Sequence, residues 1–279
     1  MVQGNALVLG GGGVTGVAWE TGILAGLSEA GLDLSDAELL VGTSAGAVVA
    51  AQLASGTPLA TLLERQLAGT AHEIPASLGP FVLARYVWAM LTRREPTEFG
   101  QAMGRLALGA RTVSEADRSA VIASRLPSHE WPERPVKVTA VNARTGAFRV
   151  FERDDDVPLV DAVAASCAVP GVWPPVSVGG QKWIDGGMRS AVNADLAADR
   201  ARVVILAPIT NGFGAMPSVD QQVAALRAAG SSVVVVSPDR EARSRMGRNS
   251  LDPAGRTAAA QTGHRQAALE LDRVAAVWR

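Results

Sequence analysis

The residue in this sequence best placed to form a covalent bond is Ser44, set in Gly42-Thr43-Ser44-Ala45-Gly46. The G-x-S-x-G spacing marks a strand-to-helix turn too sharp for side chains beside the serine, so Gly42 and Gly46 flank it and leave the hydroxyl clear. In a chain with 29 glycines the pattern is weak by itself. Its weight comes from context: the apolar run Ala37 to Thr43 precedes it, and a small-residue helix, Ala45 to Ala54, follows directly. A serine at a helix N-terminus has free N–H groups and the positive end of the dipole beside it, which suits the negative charge that develops in acyl transfer. The competing reading is a serine that only caps a buried helix.

A second cluster, Gly10 to Gly13 with Gly16, follows the apolar run that starts at Asn5. Consecutive glycines let several N–H groups point into one small volume, which makes a place for an anion. Gly11, Gly13 and Gly16 also spell G-x-G-x-x-G, the dinucleotide-binding turn. That fold asks for an acid at the end of its second strand. Here the second run ends in Gly42-Thr43-Ser44, while Asp33 and Asp36 precede it and would lie at its opposite end, so nucleotide binding is disfavoured.

Asp185 closes a short apolar run, Gln181 to Ile184, and Gly186-Gly187 then lets the chain turn away. A carboxylate there can meet the serine, although alone it would be an ordinary turn aspartate. Just before it, Ala165-Ser166-Cys167-Ala168-Val169-Pro170 leads through Trp173 and Pro174 as a small-residue helix end running into a proline-rich turn. Three histidines, His72, His129 and His264, could supply a conventional triad base, and Ser44, Asp185 and His264 occur in the α/β-hydrolase order. His264, however, lies in an Ala/Gln/Leu-rich helical stretch that continues to Trp278, whereas a triad histidine normally sits on a loop past a strand. Asp154-Asp155-Asp156 reads as a solvated turn rather than a calcium site. Cys167, the sole cysteine, reads as core and excludes an intramolecular disulfide.

These residues need a scaffold, and the apolar runs supply one. Asn5 to Gly10 predicts a strand, Val17 to Ala30 an amphipathic helix, Ala37 to Thr43 a second strand and Ala45 to Ala54 a second helix. Further strands are expected at Val136 to Val141, Phe148 to Phe151, Lys182 to Ile184, Val203 to Ala207 and Ser232 to Ser237. The stretch from 58 to about 130 holds helix-like segments broken by Pro75, Pro80, Pro96 and Pro127, with no convincing strand. The expectation is one α/β domain over residues 1–279: a mainly parallel central sheet flanked by helices, with a helical cap inserted at about 58–130.

Composition agrees with a globular chain: 48% of residues are hydrophobic, 19% charged, and the formal net charge is −1. That balance gives no reason to expect nucleic acid as a partner. The uncharged first nineteen residues lack the basic start and unbroken apolar run of an export signal, and Glu38 to Glu64 encloses too many polar and glycine residues for a spanning helix. A cytoplasmic location, with contact to a membrane surface, is the expectation.

Taken in chain order from about Ala6 to Gly187, four segments resemble the patatin-like phospholipase family. LGGGGVTG looks like its glycine-rich oxyanion loop, GTSAG like its nucleophile elbow, ASCAVPGVWPP like its internal Ala-Ser and proline block, and DGG like its dyad aspartate motif. The resemblance implies a Ser44–Asp185 dyad, an oxyanion held by N–H groups of Gly11, Gly12 and Gly13, and hydrolysis of lipid acyl esters. It implies neither a metal nor a nucleotide cofactor. One departure stands out: the family usually carries Arg or Lys just before the last glycine of the loop, and here Thr15 takes that place. A hydroxyl cannot replace a cation, so a taste for phospholipid is weakened more than ester hydrolysis itself. Thr15 also favours the rival reading, a lipid or acyl-ligand binder without catalysis, which intact Ser44 and Asp185 oppose. Finally, Phe81 to Leu91 is apolar around nearly its whole circumference, with Arg85 inside and Arg93-Arg94 beyond. It reads as the buried helix of the cap or as a lid surface that touches lipid, and either would wall an acyl pocket.

Overall fold

The computed structural model describes residues 2–68, 73–212 and 214–279. Its sheet is built from β1 (Asn5–Leu9), β2 (Leu39–Gly42), β3 (Val136–Asn142), β4 (Phe148–Phe151), β5 (Val176–Val178), β6 (Gln181–Asp185), β7 (Arg202–Leu206) and β8 (Ser232–Val236). Around it lie α1 (Gly13–Glu29), α2 (Ala45–Ala54), α3 (Leu59–Leu67), α4 (Pro80–Thr92), α5 (Pro96–Leu108), α6 (Glu115–Arg125), α7 (Leu159–Ser166), α8 (Val219–Ala228), α9 (Arg240–Met246) and α10 (Arg256–Trp278). From α3 to α6 the described residues contain no strand.

The central strands carry apolar residues on both faces because both faces of the sheet are covered. Leu7, Leu9, Leu40, Val204 and Leu206 pack with α1, α2 and α10 on one face. Ala6, Val8, Leu39, Val41, Val203 and Ile205 face the other way, towards Val219, Val223 and Leu226 of α8. This is the period-two alternation of a strand read on two buried sides. A third cluster joins α4 and α5 to the sheet through Tyr86, Phe99, Met103, Val141 and Ile184.

Strand order is β5-β6-β3-β2-β1-β7-β8, with β4 also on β3. The β3-β2-β1-β7-β8 half is parallel, whereas β3–β4, β3–β6 and β5–β6 are antiparallel. The sheet is thus more mixed than the sequence suggests. The three-residue β5 has no expected counterpart, being too short to register as a run and visible only through its Gly179-Gly180 connection to β6. One feature of the register positions the site. Val138 pairs with Gly42 and Phe151, while Ala140 pairs with Asp185 and Arg149. Since β4 runs unbroken along one edge of β3, β2 and β6 must share the opposite edge. They approach from opposite directions, so their C-terminal ends meet head to head, two residues apart along β3.

Candidate active site

Those meeting ends carry Ser44 and Asp185. The Ser44 hydroxyl donates to Oδ2 of Asp185 at 2.7 Å, and both residues are buried. Ser44 sits at φ 54° and ψ −114°, a left-handed region costly for a residue with a Cβ. Surrounding bonds hold it there: its N–H donates to Ser166 Oγ at 2.9 Å, its carbonyl accepts from Cys167 Sγ at 3.2 Å, and Gly46 N–H donates to Thr43 O at 2.9 Å. At Gly46 a side chain is impossible, since a Cβ would overlap the backbone carbonyl of Leu9. Gly42 closes β2 one residue before Thr43. Gly186 and Gly187 form the 3-10 turn after β6, and Gly187 N–H donates to Asp185 Oδ1 at 2.7 Å. Both carboxylate oxygens of Asp185 are therefore occupied, one by the serine and one by the turn.

Burial raises Asp185 to about 6 even though the Ser44 and Gly187 hydrogen bonds and the Arg118 charge work the other way. Desolvation of the charged form outweighs them. Arg118, on α6, is itself buried and stacks over Trp173 with its guanidinium carbon 3.9 Å from the ring centroid. Burial lowers it to about 10, and its Nε and Nη1 find no acceptor among the described residues. A cation therefore lies within electrostatic reach of Asp185, and it comes from α6 and not from the glycine loop. Thr15 is wholly buried in the first turn of α1, where its N–H donates to Ser250 O at 3.2 Å.

The glycine loop is shorter than the sequence suggests, because α1 begins at Gly13 and takes in Gly16. A Cβ at Gly16 would lie 3.3 Å from Ala45 Cβ, so this glycine lets α1 pass close to the elbow helix α2. Gly11 is a correction to the expected oxyanion donors. Its N–H is committed to Ala191 O at 2.8 Å. The N–H groups of Gly12 and Gly13 meet no acceptor among the described residues.

Three participants escaped the sequence reading of individual residues. Ser166, within the quoted Ala-Ser block, holds the Ser44 amide. Asn193, buried at φ 50°, donates to Thr43 Oγ1 and Ser190 O, each at 3.0 Å, tying the elbow to the loop after Asp185. Glu20 is buried in α1, where its Oε1 accepts from Gly10 N–H at 2.9 Å and burial pushes its carboxyl well above the usual range. Only Glu20 left a signal, as the one charged residue of α1 before Glu29 at its C-terminal end. His264 is far from this assembly. It pairs with Glu29 at 2.8 Å, at the C-terminal end of α1. Gly13 opens that helix and Glu29 closes it, which at ~1.5 Å per residue puts the ion pair about 24 Å from the loop. His129 Nε2 contacts Ala123 O, and His72 lies outside the described residues. Asp155 pairs with Arg149 at 3.0 Å, and among the described residues no cluster of side chains could hold a metal ion.

A family model described as patatin-like phospholipase matches residues 7–198, from β1 through the loop that carries Asn193. The chain belongs to the patatin-like phospholipase family. The α/β fold with its central sheet is that of the family, and membership supports hydrolysis of lipid acyl esters. Among solved structures, VipD from Legionella pneumophila is 14% identical, with a TM-score of 0.49 over 97% of this chain and 67% of that one. The type III effector protein ExoU is 17% identical, with a TM-score of 0.41 over 98% of this chain. This patatin-like chain spans about half of ExoU, 53% of its length. No curated protein matches it. Among the described residues no helix is long and apolar enough to cross a membrane.

Proposed function

We propose that this chain is a lipid acyl hydrolase in which Ser44 is the nucleophile and Asp185 the general base, with residues 1–279 acting as one unit and α3–α6 as its cap. The observation that carries the reading is the 2.7 Å hydrogen bond from the Ser44 hydroxyl to Asp185 inside a buried elbow. Attack by Ser44 Oγ on an ester carbonyl passes its proton to Asp185 Oδ2. The N–H groups of Gly12 and Gly13 are assigned to the developing oxyanion. The proton then goes to the leaving alkoxide, and an acyl-serine remains. Asp185 next takes a proton from water, whose oxygen attacks the acyl carbon; the proton then passes to Ser44 Oγ as it leaves, which frees the acid and restores the dyad. An exposed aspartate, titrating near ~3.9, would be a weak base. Burial brings Asp185 nearer to neutrality, where a general base is most effective.

A fluorophosphonate probe tests this directly, because it labels only an activated serine. Wild-type protein is expected to be labelled at Ser44, and Ser44→Ala to lose both labelling and hydrolysis of a short-chain p-nitrophenyl ester with an unchanged circular dichroism spectrum. An unlabelled, folded and inactive wild type would instead support the lipid-binder reading.

A further inference from the structure

Helix α4 turns its apolar surface the wrong way for a soluble cap. Phe81 is 71% exposed, Trp88 65% and Leu91 79%, and Leu83 and Val87 are exposed beside them. Pro80, Leu83, Ala84, Val87, Trp88 and Leu91 line one shallow groove on this outer face. The inward face is thinner: only Tyr86 and Ala89 are buried. An ordinary surface helix hides its apolar stripe and shows its polar one, and a contiguous exposed apolar patch marks an interaction surface.

Charge selects the occupant. From Ile74 to Arg94 there is no acidic residue, while Arg85, Arg93 and Arg94 contribute three positive charges within a chain of net charge −1. Arg85 and Arg94 are exposed, Arg85 on α4 and Arg94 just past its C-terminal end. Aromatic and aliphatic side chains beside arginines fit the boundary between acyl chains and anionic head groups. The same helix is anchored to the catalytic region. Tyr86 Oη donates to Pro170 O at 3.2 Å and Val82 packs on Gly171, while the nearby Ala168 carbonyl accepts from Asp185 N–H at 3.1 Å.

We infer that the outer face of α4 docks on an anionic lipid bilayer, with Phe81, Trp88 and Leu91 entering the acyl boundary and Arg85 and Arg94 meeting anionic head groups. The purpose of such docking, delivery of lipid to Ser44, rests on the proposed acyl-hydrolase function. The binding itself is measurable without turnover.

The experiment is co-sedimentation of Ser44→Ala protein with phosphatidylcholine vesicles, with and without phosphatidylserine. The protein is expected to partition onto the anionic vesicles and to lose affinity as salt rises. Adding Phe81→Ser, Trp88→Ser and Leu91→Ser should reduce that partitioning by about three orders of magnitude, at ~1.5 kcal/mol for each buried side chain. Arg85→Gln with Arg94→Gln should reduce it roughly 30-fold, at ~1 kcal/mol per arginine, with no effect on neutral vesicles. In the Ser44-intact background, the three serine substitutions should lower hydrolysis of vesicle lipid far more than that of a dispersed short-chain ester. Absence of vesicle binding, or binding indifferent to both sets of substitutions, overturns docking even if ester hydrolysis is intact. A dimer that Phe81→Ser dissociates, seen by light scattering, overturns it in favour of a second copy. Vesicle binding by a wild type that hydrolyses no ester would support docking and defeat the acyl-hydrolase reading separately. If the serine variants do not fold, the arginine pair and the salt dependence still decide.

Discussion

Replacing Asp185 by asparagine should make the protein more stable and nearly inactive, and both effects follow from the same burial. Asp185 titrates at about 6 in the folded chain, against ~3.9 for an aspartate in an unfolded one. The fold therefore prefers the protonated form. Stability from this group is greatest below the unfolded value and is lost as pH rises through the folded one. A gap of roughly two pH units at ~1.4 kcal/mol each amounts to about 3 kcal/mol of destabilisation once the group is fully charged, near pH 7.5. By about pH 4.5 only a third or so of that remains. Asparagine keeps the shape without the charge: its Oδ1 can accept from Gly187 N–H, and its Nδ2 can donate to Ser44 Oγ. At about pH 7.5 the Asp185→Asn protein is expected to melt about 6 to 12 °C higher than wild type, at ~2–4 °C per kcal/mol. The gain should shrink several-fold at about pH 4.5. Hydrolysis of a p-nitrophenyl ester should fall by about three orders of magnitude or more, as when a general base is disabled. Differential scanning fluorimetry at the two pH values and a rate assay at the higher one are sufficient. A lower melting temperature near neutrality, or a gain equal at both pH values, would refute the burial argument. Activity above roughly a tenth of wild type would remove Asp185 from the base role.

The wild-type rate should show an acidic limb centred near Asp185's value of about 6, falling roughly tenfold for each pH unit below it, because only the ionised carboxylate can take the Ser44 proton. A pH profile that stays flat down to pH ~4 would contradict this. His264→Ala should keep at least about half of wild-type activity, since its partner Glu29 stands at the far end of α1; a true triad histidine would cost about as much as Ser44, roughly 10⁶-fold. Assayed under one detergent condition, monoacylglycerol or lysophospholipid should be turned over faster than diacyl phospholipid, because Thr15 offers a buried hydroxyl where the family carries a cation. The fastest turnover on diacyl phospholipid would point instead to Arg118 as the compensating charge.

What the sequence determined by itself was everything that depends on short stretches of backbone. The apolar runs within Asn5–Leu9, Arg202–Leu206 and Ser232–Val236 had to become strands covered on both faces. Gly42 and Gly46 had to flank Ser44, because a turn into a helix that passes against Leu9 leaves no room for a Cβ. Ordered motifs along the chain also sufficed for the family. The tertiary structure decided what depends on neighbours distant in sequence. Ser44 and Asp185 are 141 positions apart, and only the shared edge of β3 brings the ends of β2 and β6 together. Only the fold spends the Gly11 N–H on Ala191, brings Arg118 within electrostatic reach of Asp185, and exposes Phe81, Trp88 and Leu91 of a helix whose composition alone is equally compatible with burial. Backbone conformation is largely a local property and is legible residue by residue. Desolvation, charge and the partner of a hydrogen bond are set by whatever the chain packs against, and that is why the basicity of Asp185 appears only once the protein is folded.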